Sequence, residues 1–307
     1  MNLGKKIAHL KERIALDKKA FIMYSILRGL VILTEIRCLF QANFEGFTLC
    51  ILSLILFLVP SFVEEKFKID LPPVFECIIY GFIFAAEILG EVNRYYTRIP
   101  GWDTMLHTLN GFLCAAIGFS LLDILNRKSR NINLSPFYLA IVGFCFSMTV
   151  GVLWEFFEYT MDSLFFLDMQ KDFIVTKIGS VTLDKTGTQT PVVIDHIRKT
   201  VIFTATGKKY TINGGYLDIG INDTMKDLIV NCIGAVTFSA FGYVYEKTKS
   251  LSKKDRSRAA NIAGDLMVTT LSDEDLRRQE EEIAERQTQI AEEKQRRRLE
   301  REKRQSF

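Results

Sequence analysis

A chain of 307 residues has room for one or two soluble domains, but its 48% apolar residues gather into long runs instead of spreading evenly, which excludes an ordinary soluble core. The formal net charge of +3 averages opposite charges that sit in different places, and no nucleic-acid motif accompanies the basic stretches, so no nucleic-acid partner is expected. The cysteines Cys38, Cys50, Cys77, Cys114, Cys145 and Cys232 all lie inside apolar runs without a CxxC pair, so they read as small packing residues and not as a disulfide framework or a zinc site.

The first 20 residues form a basic segment with Lys5, Lys6, Lys11, Arg13, Lys18 and Lys19. No small-residue cleavage motif follows, so the first apolar run is expected to stay as an anchor. A hydrocarbon core about 30 Å thick takes roughly 20 mostly apolar helical residues. Six stretches qualify: 21–40, 46–63, 73–89, 104–125, 137–157 and 223–245. The first carries Arg28, Glu35 and Arg37, and the third carries Glu76 and Glu87. Charges at such depth face the bundle interior or a wet cavity. Arg28 and Glu35 share a helix face, and pairing within the bundle, with Glu87 as a candidate partner, is the default reading.

Basic residues then set the orientation. Arg127, Lys128 and Arg130 follow the fourth span, and Lys247, Lys249, Lys253, Lys254, Arg256 and Arg258 follow the sixth. With an even number of spans these fall on the same side as the basic N-terminus, which predicts a multi-pass plasma-membrane protein with both termini cytoplasmic. Arg94 and Arg98, in a short loop, dissent.

Residues 160–222 are predicted to form an extracytoplasmic β-rich insertion. Its β-branched runs start at Phe173, Thr200 and Tyr210, and Gly187, Gly207, Gly214 and Gly215 supply turns. Residues 246–270 read as a linker and 271–307 as a charged cytoplasmic helical tail with a capping box at Ser272–Asp275. Leu276, Ile283 and Ile290 recur every seven residues, but the companion positions are Gln or charged, so a solvated charged helix is favoured over a coiled coil. The fold class expected is an all-α polytopic membrane helix bundle with a small β insertion and a C-terminal charged helix.

Polar residues collect where this topology places the outer leaflet. Span four opens with Asp103 and His107, four apart on one face. Span five closes with Glu155 and Glu158, three apart. Span six opens with Asp223 and Asp227, and Asn231 lies one turn further in. Glu87 and Glu91 leave span three at the same level. Helix bundles build metal sites from such i,i+3 and i,i+4 pairs. The six residues Asp103, His107, Glu155, Glu158, Asp223 and Asp227 are therefore candidate ligands of a divalent metal ion. Glu155, Asp227 and His107 are the candidate catalytic residues, because burying them is expensive.

Plainer readings compete. Asp103 and Asp223 suit the positive end of a helix dipole, and Glu158 suits a solvated interface. His107 suits a structural hydrogen bond to a carboxylate. Trp102, Trp154 and Tyr159 are expected interface aromatics, and Lys226 either neutralises a neighbouring acid or snorkels outward, the second being favoured. Asn231, Gly111 and Gly234 suit close helix packing.

The order Asp-x-x-x-His (Asp103, His107), an acidic helix end (Glu155, Glu158) and Asp-x-x-Lys-Asp (Asp223, Lys226, Asp227) resembles the VanZ-like membrane protein superfamily, and more closely its YjdF-like branch. The resemblance covers roughly residues 75–245 and not the charged tail. It implies a bacterial envelope protein and transfers no catalytic role.

Three functions follow as rivals. The first is a metal- or head-group-binding site acting on a lipid-linked envelope substrate. The second is a proton- or ion-coupled transporter. The third is a non-catalytic scaffold using its tail or insertion. Expected partners are membrane lipids, such a lipid-linked substrate, a second copy of the chain or a tail-binding protein.

Overall fold

The computed structural model describes residues 18–67, 69–128 and 133–270. The expectations for the basic residues before Lys18 and for the charged tail from residue 271 lie outside those residues. The described residues divide into two compact units: 18–99 with 120–133 and 248–270, so far as described, and Pro100–Phe119 with Leu134–Lys247.

The first unit begins with α1 (Lys18–Phe40). A tight turn with Ala42 at φ 52° leads to α2 (Phe44–Leu56), whose first turn is capped by the Asn43 side chain accepting from the Gly46 N–H at 3.0 Å. The helix breaks at Phe57–Leu58 and resumes as α3 (Val59–Phe67). Pro60 explains the break, because it has no N–H to continue the ladder. Strand β1 (Ile69–Asp70) follows, and the Glu64 carboxylate turns the chain by accepting the Leu71 N–H at 3.0 Å. Helix α4 (Pro73–Ile83) starts on its proline and widens into a π-helical segment, Phe84–Val92, closed by Asn93 N–H to Ile88 O at 3.0 Å. A short α5 (Tyr95–Arg98) ends this stretch.

Leu27, Val31, Cys50, Phe57, Tyr80 and Ile88 form the core of this unit, with the rings of Tyr24, Phe57 and Tyr80 in mutual contact. Arg28 bonds the Tyr24 hydroxyl at 2.8 Å, and Arg37 bonds Asn93 at 2.8 Å.

Helix α6 (Trp102–Lys128) contributes its first part to the second unit, together with α7 (Pro136–Phe165) and α8 (Ile221–Thr248). Ser135 caps α7, and Pro136 occupies its first turn. Glycines let backbones touch. A Cβ on Gly111 would lie 2.0 Å from the Asn231 carbonyl oxygen, and one on Gly234 would lie 2.0 Å from that of Thr108. Gly111 and Gly234 therefore do serve close α6–α8 packing. Ser147 ties α7 to the same place by donating to the Gly111 carbonyl at 2.8 Å. Deeper in, Phe238 stacks edge-on against Phe112 and Phe119.

The insertion between α7 and α8 forms three antiparallel ribbons. Strand β2 (Phe173–Val175) pairs with β7 (Tyr216–Asp218), β3 (Ile178–Ser180) with β4 (Val192–Ile194), and β5 (Lys199–Phe203) with β6 (Lys209–Asn213). The three expected runs are the strands β2, β5 and β6, and β3, β4 and β7 pair alongside them as additional strands.

Residues 246–270, expected as a linker, are ordered in the first unit beyond Thr248. Helix α9 (Arg258–Leu266) is capped by Ser257 and buries Ala260, Ala263 and Leu266 at helical spacing. The Val268 N–H donates to Ser120 at 3.1 Å, and β8 (Thr269–Thr270) pairs with β1.

Among the described residues, five helices are long and apolar enough to cross a membrane: Phe44–Phe67, Pro73–Val92, Trp102–Arg127, Pro136–Phe165 and Ile221–Thr248. The first predicted span is also a helix, of 23 residues, but Arg28, Glu35 and Arg37 keep it outside that set. Helix α7 runs past its expected end, so Glu158 lies two turns inside it and the insertion starts at Phe166.

Candidate functional site

The second unit alone builds the site. Asp103 lies in the first turn of α6 and His107 one turn on, with Nε2 3.4 Å from Asp103 Oδ1. Asp227 reaches the same imidazole from α8, with Oδ2 3.9 Å from Nε2. Glu155 approaches from α7 on the other edge of the ring, its Oε1 3.9 Å from Nδ1. One ligand atom each from Asp103, His107 and Asp227 lies within 4.8 Å of the others. Metal–ligand bonds of about 2.0–2.2 Å hold two ligand atoms at most about 4.4 Å apart, and the 3.4 Å and 3.9 Å separations from Nε2 fall inside that limit.

Burial gives this gathering its energy. The side chains of Asp227 and Glu155 are 1% and 5% exposed. Among the described residues, Asp103 Oδ2, Glu155 Oε2 and Asp227 Oδ1 are buried oxygens without a hydrogen-bond partner. An unsatisfied buried charge is costly, so the arrangement calls for a cation or for protons. The site gathers five carboxyl groups, those of Asp103, Glu155, Glu158, Asp223 and Asp227, against the two basic groups of His107 and Lys226. Carboxylate oxygens with one imidazole suit a borderline transition ion better than calcium or magnesium. The donor set thus fits such an ion.

The other two candidates stand further out. Glu158 is buried, not solvated, and accepts the Trp154 indole N–H at 2.9 Å. Trp154 is therefore tied to the acids as well as exposed. Asp223 accepts the Lys171 backbone N–H at 2.7 Å, so it secures the insertion in addition to lying in its own helix's first turn. Glu87 and Glu91, expected at the same level, belong to the first unit, on the π-helical segment.

One feature follows the less favoured of two sequence readings, neutralisation of a neighbouring acid, and two more escape the sequence altogether. Lys226, expected to snorkel outward, holds its ammonium 3.7–4.0 Å from Asp103, Asp223 and Asp227. The start of the insertion crosses the site: Gln170 bonds Thr224 at 2.5 Å, and the Phe173 ring lies 5.9 Å from the Lys226 ammonium. Asn110 bonds Asn231 at 3.2 Å beneath His107. Its position three residues after His107, on the same face, was the available signal.

A family model described as a predicted membrane protein (DUF2238) matches residues 22–248. An uncharacterized protein of Thermotoga maritima is 27% identical over 105 residues, which are 34% of this chain and 53% of that protein. The chain thus spans about half the length of that curated relative. No solved structure matches.

Proposed function

Since this chain belongs to the DUF2238 family of predicted membrane proteins, we propose that it is a plasma-membrane protein that binds a divalent transition-metal ion through Asp103, His107 and Asp227 at the outer leaflet. We further propose that it uses this site on the head group of a lipid-linked envelope substrate. The chain is a multi-pass membrane protein. The cytoplasmic bias of the basic segments supports the outward orientation. The resemblance to VanZ-like and YjdF-like proteins supports the envelope setting.

The carrying observation is the convergence of three ligand atoms within 4.8 Å beside buried carboxylate oxygens that make no hydrogen bond. A metal ion bound there would act as a Lewis acid on a phosphoryl or carbonyl oxygen. Glu155 faces His107 Nδ1 while Nε2 faces the two aspartates, as a carboxylate that orients a ligating imidazole does. Glu158, held by Trp154, extends the acidic surface one turn away.

Ion-coupled transport uses the same carboxylates, but the polar column favours a one-sided site. Below Asn231 it meets Phe119 and Phe238, both fully buried and in ring contact. The test is metal content of the purified full chain, followed by Zn²⁺, Mn²⁺ and Co²⁺ titration of wild type, Asp227→Ala and Glu155→Ala. Binding by wild type that Asp227→Ala loses supports the reading. A wild-type protein that binds none of the three ions overturns it.

A further inference from the structure

The position of Lys226 carries the metal reading one step further. Its Nζ is 3.7 Å from Asp103 Oδ2, 4.0 Å from Asp223 Oδ1 and 3.9 Å from Asp227 Oδ1. Charge-assisted hydrogen bonds run at about 2.7–2.9 Å, so the ammonium stands between three carboxylates instead of pairing with one. Two of those acids belong to the Asp103–His107–Asp227 group. The oxygens they turn to the lysine are the buried ones without a hydrogen bond. Asp227 is 1% exposed, so water does not solvate its charge. Lys226 is 40% exposed and has the Phe173 ring 5.9 Å away on the insertion, a second place where an ammonium is stabilised.

We infer that Lys226 is a tethered cation that balances Asp103 and Asp227 when no metal is bound, and that a divalent ion enters by displacing its ammonium toward Phe173 and water. This rests on the metal reading above and adds selectivity to it. A tethered charge has a high effective concentration. A monovalent ion brings no more charge than the resident ammonium, whereas a divalent ion doubles the attraction to both carboxylates. Lys226 thus filters out sodium and potassium and sets the threshold for divalent ions.

The experiment titrates the full-length protein in detergent with Co²⁺ alone, comparing wild type, Lys226→Met and Lys226→Arg. Lys226→Met is expected to bind Co²⁺ about tenfold more tightly or better, and to become sensitive to competing Na⁺. Lys226→Arg, which keeps the charge, is expected to stay near wild type. In the unmodified protein, acylation of Lys226 by an amine-reactive ester, mapped by mass spectrometry, is expected to rise several-fold when Co²⁺ is added. This second measurement decides the matter if Lys226→Met fails to fold. Unchanged or weaker Co²⁺ binding by Lys226→Met, or labelling that does not rise, overturns the displacement. Absence of Co²⁺ binding in wild type and Lys226→Met alike overturns the metal reading itself, which keeps the two failures apart.

Discussion

Oδ2 of Asp227 stands 3.9 Å from Nε2 of His107, so a fully buried acid of one helix faces the imidazole of another. Asp103 shares that nitrogen's side, and Glu155 faces the opposite nitrogen. The six acid and histidine residues therefore differ in rank. Asp227→Asn and His107→Ala are expected to weaken metal binding by at least about 100-fold. Glu155→Gln, acting through the imidazole, is expected to cost about 10–100-fold. Glu158→Gln and Asp223→Asn, anchored to Trp154 and Lys171, are expected to cost less than about tenfold. Co²⁺ titration of the five variants measures the order. Equal losses across all of them would point to a diffuse charge effect and against a three-residue site.

The platform for the site is the α6–α8 contact, where backbones meet at Gly111 and Gly234. Gly111→Ala and Gly234→Ala each drive a methyl group against a carbonyl oxygen, which side-chain adjustment does not relieve. Overpacking of this kind costs about 1–3 kcal/mol. Both variants are expected to melt at lower temperature in detergent, whereas Gly29→Ala, with nothing within 4 Å of its added methyl, is expected to hold or raise the melting temperature. Equal melting of all three variants would remove Gly111 and Gly234 from the packing argument.

The residue pattern carried most of this architecture. Apolar runs bounded by Pro73 and Pro136 announced long helices, and periodic acids placed Asp103, His107, Glu155 and Asp227 on shared faces. What the pattern left out were contacts between elements. Nothing local distinguishes Lys226 snorkelling outward from Lys226 held by three acids, because its partners include Asp103 on another helix. The linker reading missed α9 because its apolar face is only Ala260, Ala263 and Leu266, too short a stripe to stand out from a polar stretch. The wide turn at Phe84–Val92 has no composition cue at all.

Away from the membrane, Asp184 offers a pH test. Its carboxylate accepts from the Thr186 hydroxyl at 2.5 Å, the Thr186 N–H at 2.8 Å, the Thr190 N–H at 3.3 Å and the Thr188 hydroxyl at 3.2 Å. These donors favour the ionised form and lower its pKa from the ordinary 3.8 to about 2, the Thr186 hydroxyl contributing most. A depressed folded pKa means the loop is fully supported above the ordinary value and loses that support as pH falls through about 2. Carboxyl NMR of the full chain is expected to show Asp184 titrating well below the ordinary 3.8, and Thr186→Val is expected to raise it. An Asp184 that titrates near 3.8 would overturn the loop's hydrogen bonding as a cause of any shift.

Asp162 links the insertion to the site. Its carboxylate accepts the backbone N–H groups of Met169 at 2.7 Å and Gln170 at 2.8 Å, folding the chain back just after α7 ends. The next two anchors fall on α8: Gln170 to Thr224, and the Lys171 N–H to Asp223. Phe173 then arrives over Lys226. Removing the carboxylate in Asp162→Ala leaves two N–H groups without their acceptor, at a cost of about 1–2 kcal/mol. Because 1.4 kcal/mol is a factor of ten in an equilibrium, amide exchange across residues 169–173 is expected to quicken about tenfold, measured by hydrogen–deuterium exchange on the full chain. Asp195→Ala, which removes an exposed side chain paired with Lys177 outside that segment, is the control expected to leave that exchange unchanged. If Lys226 uses Phe173 as its second berth, Asp162→Ala also weakens Co²⁺ binding, because the ring is no longer held where the displaced ammonium needs it. Quickened exchange with unaltered Co²⁺ affinity would separate the strap from the site and leave water alone as the destination of the displaced lysine.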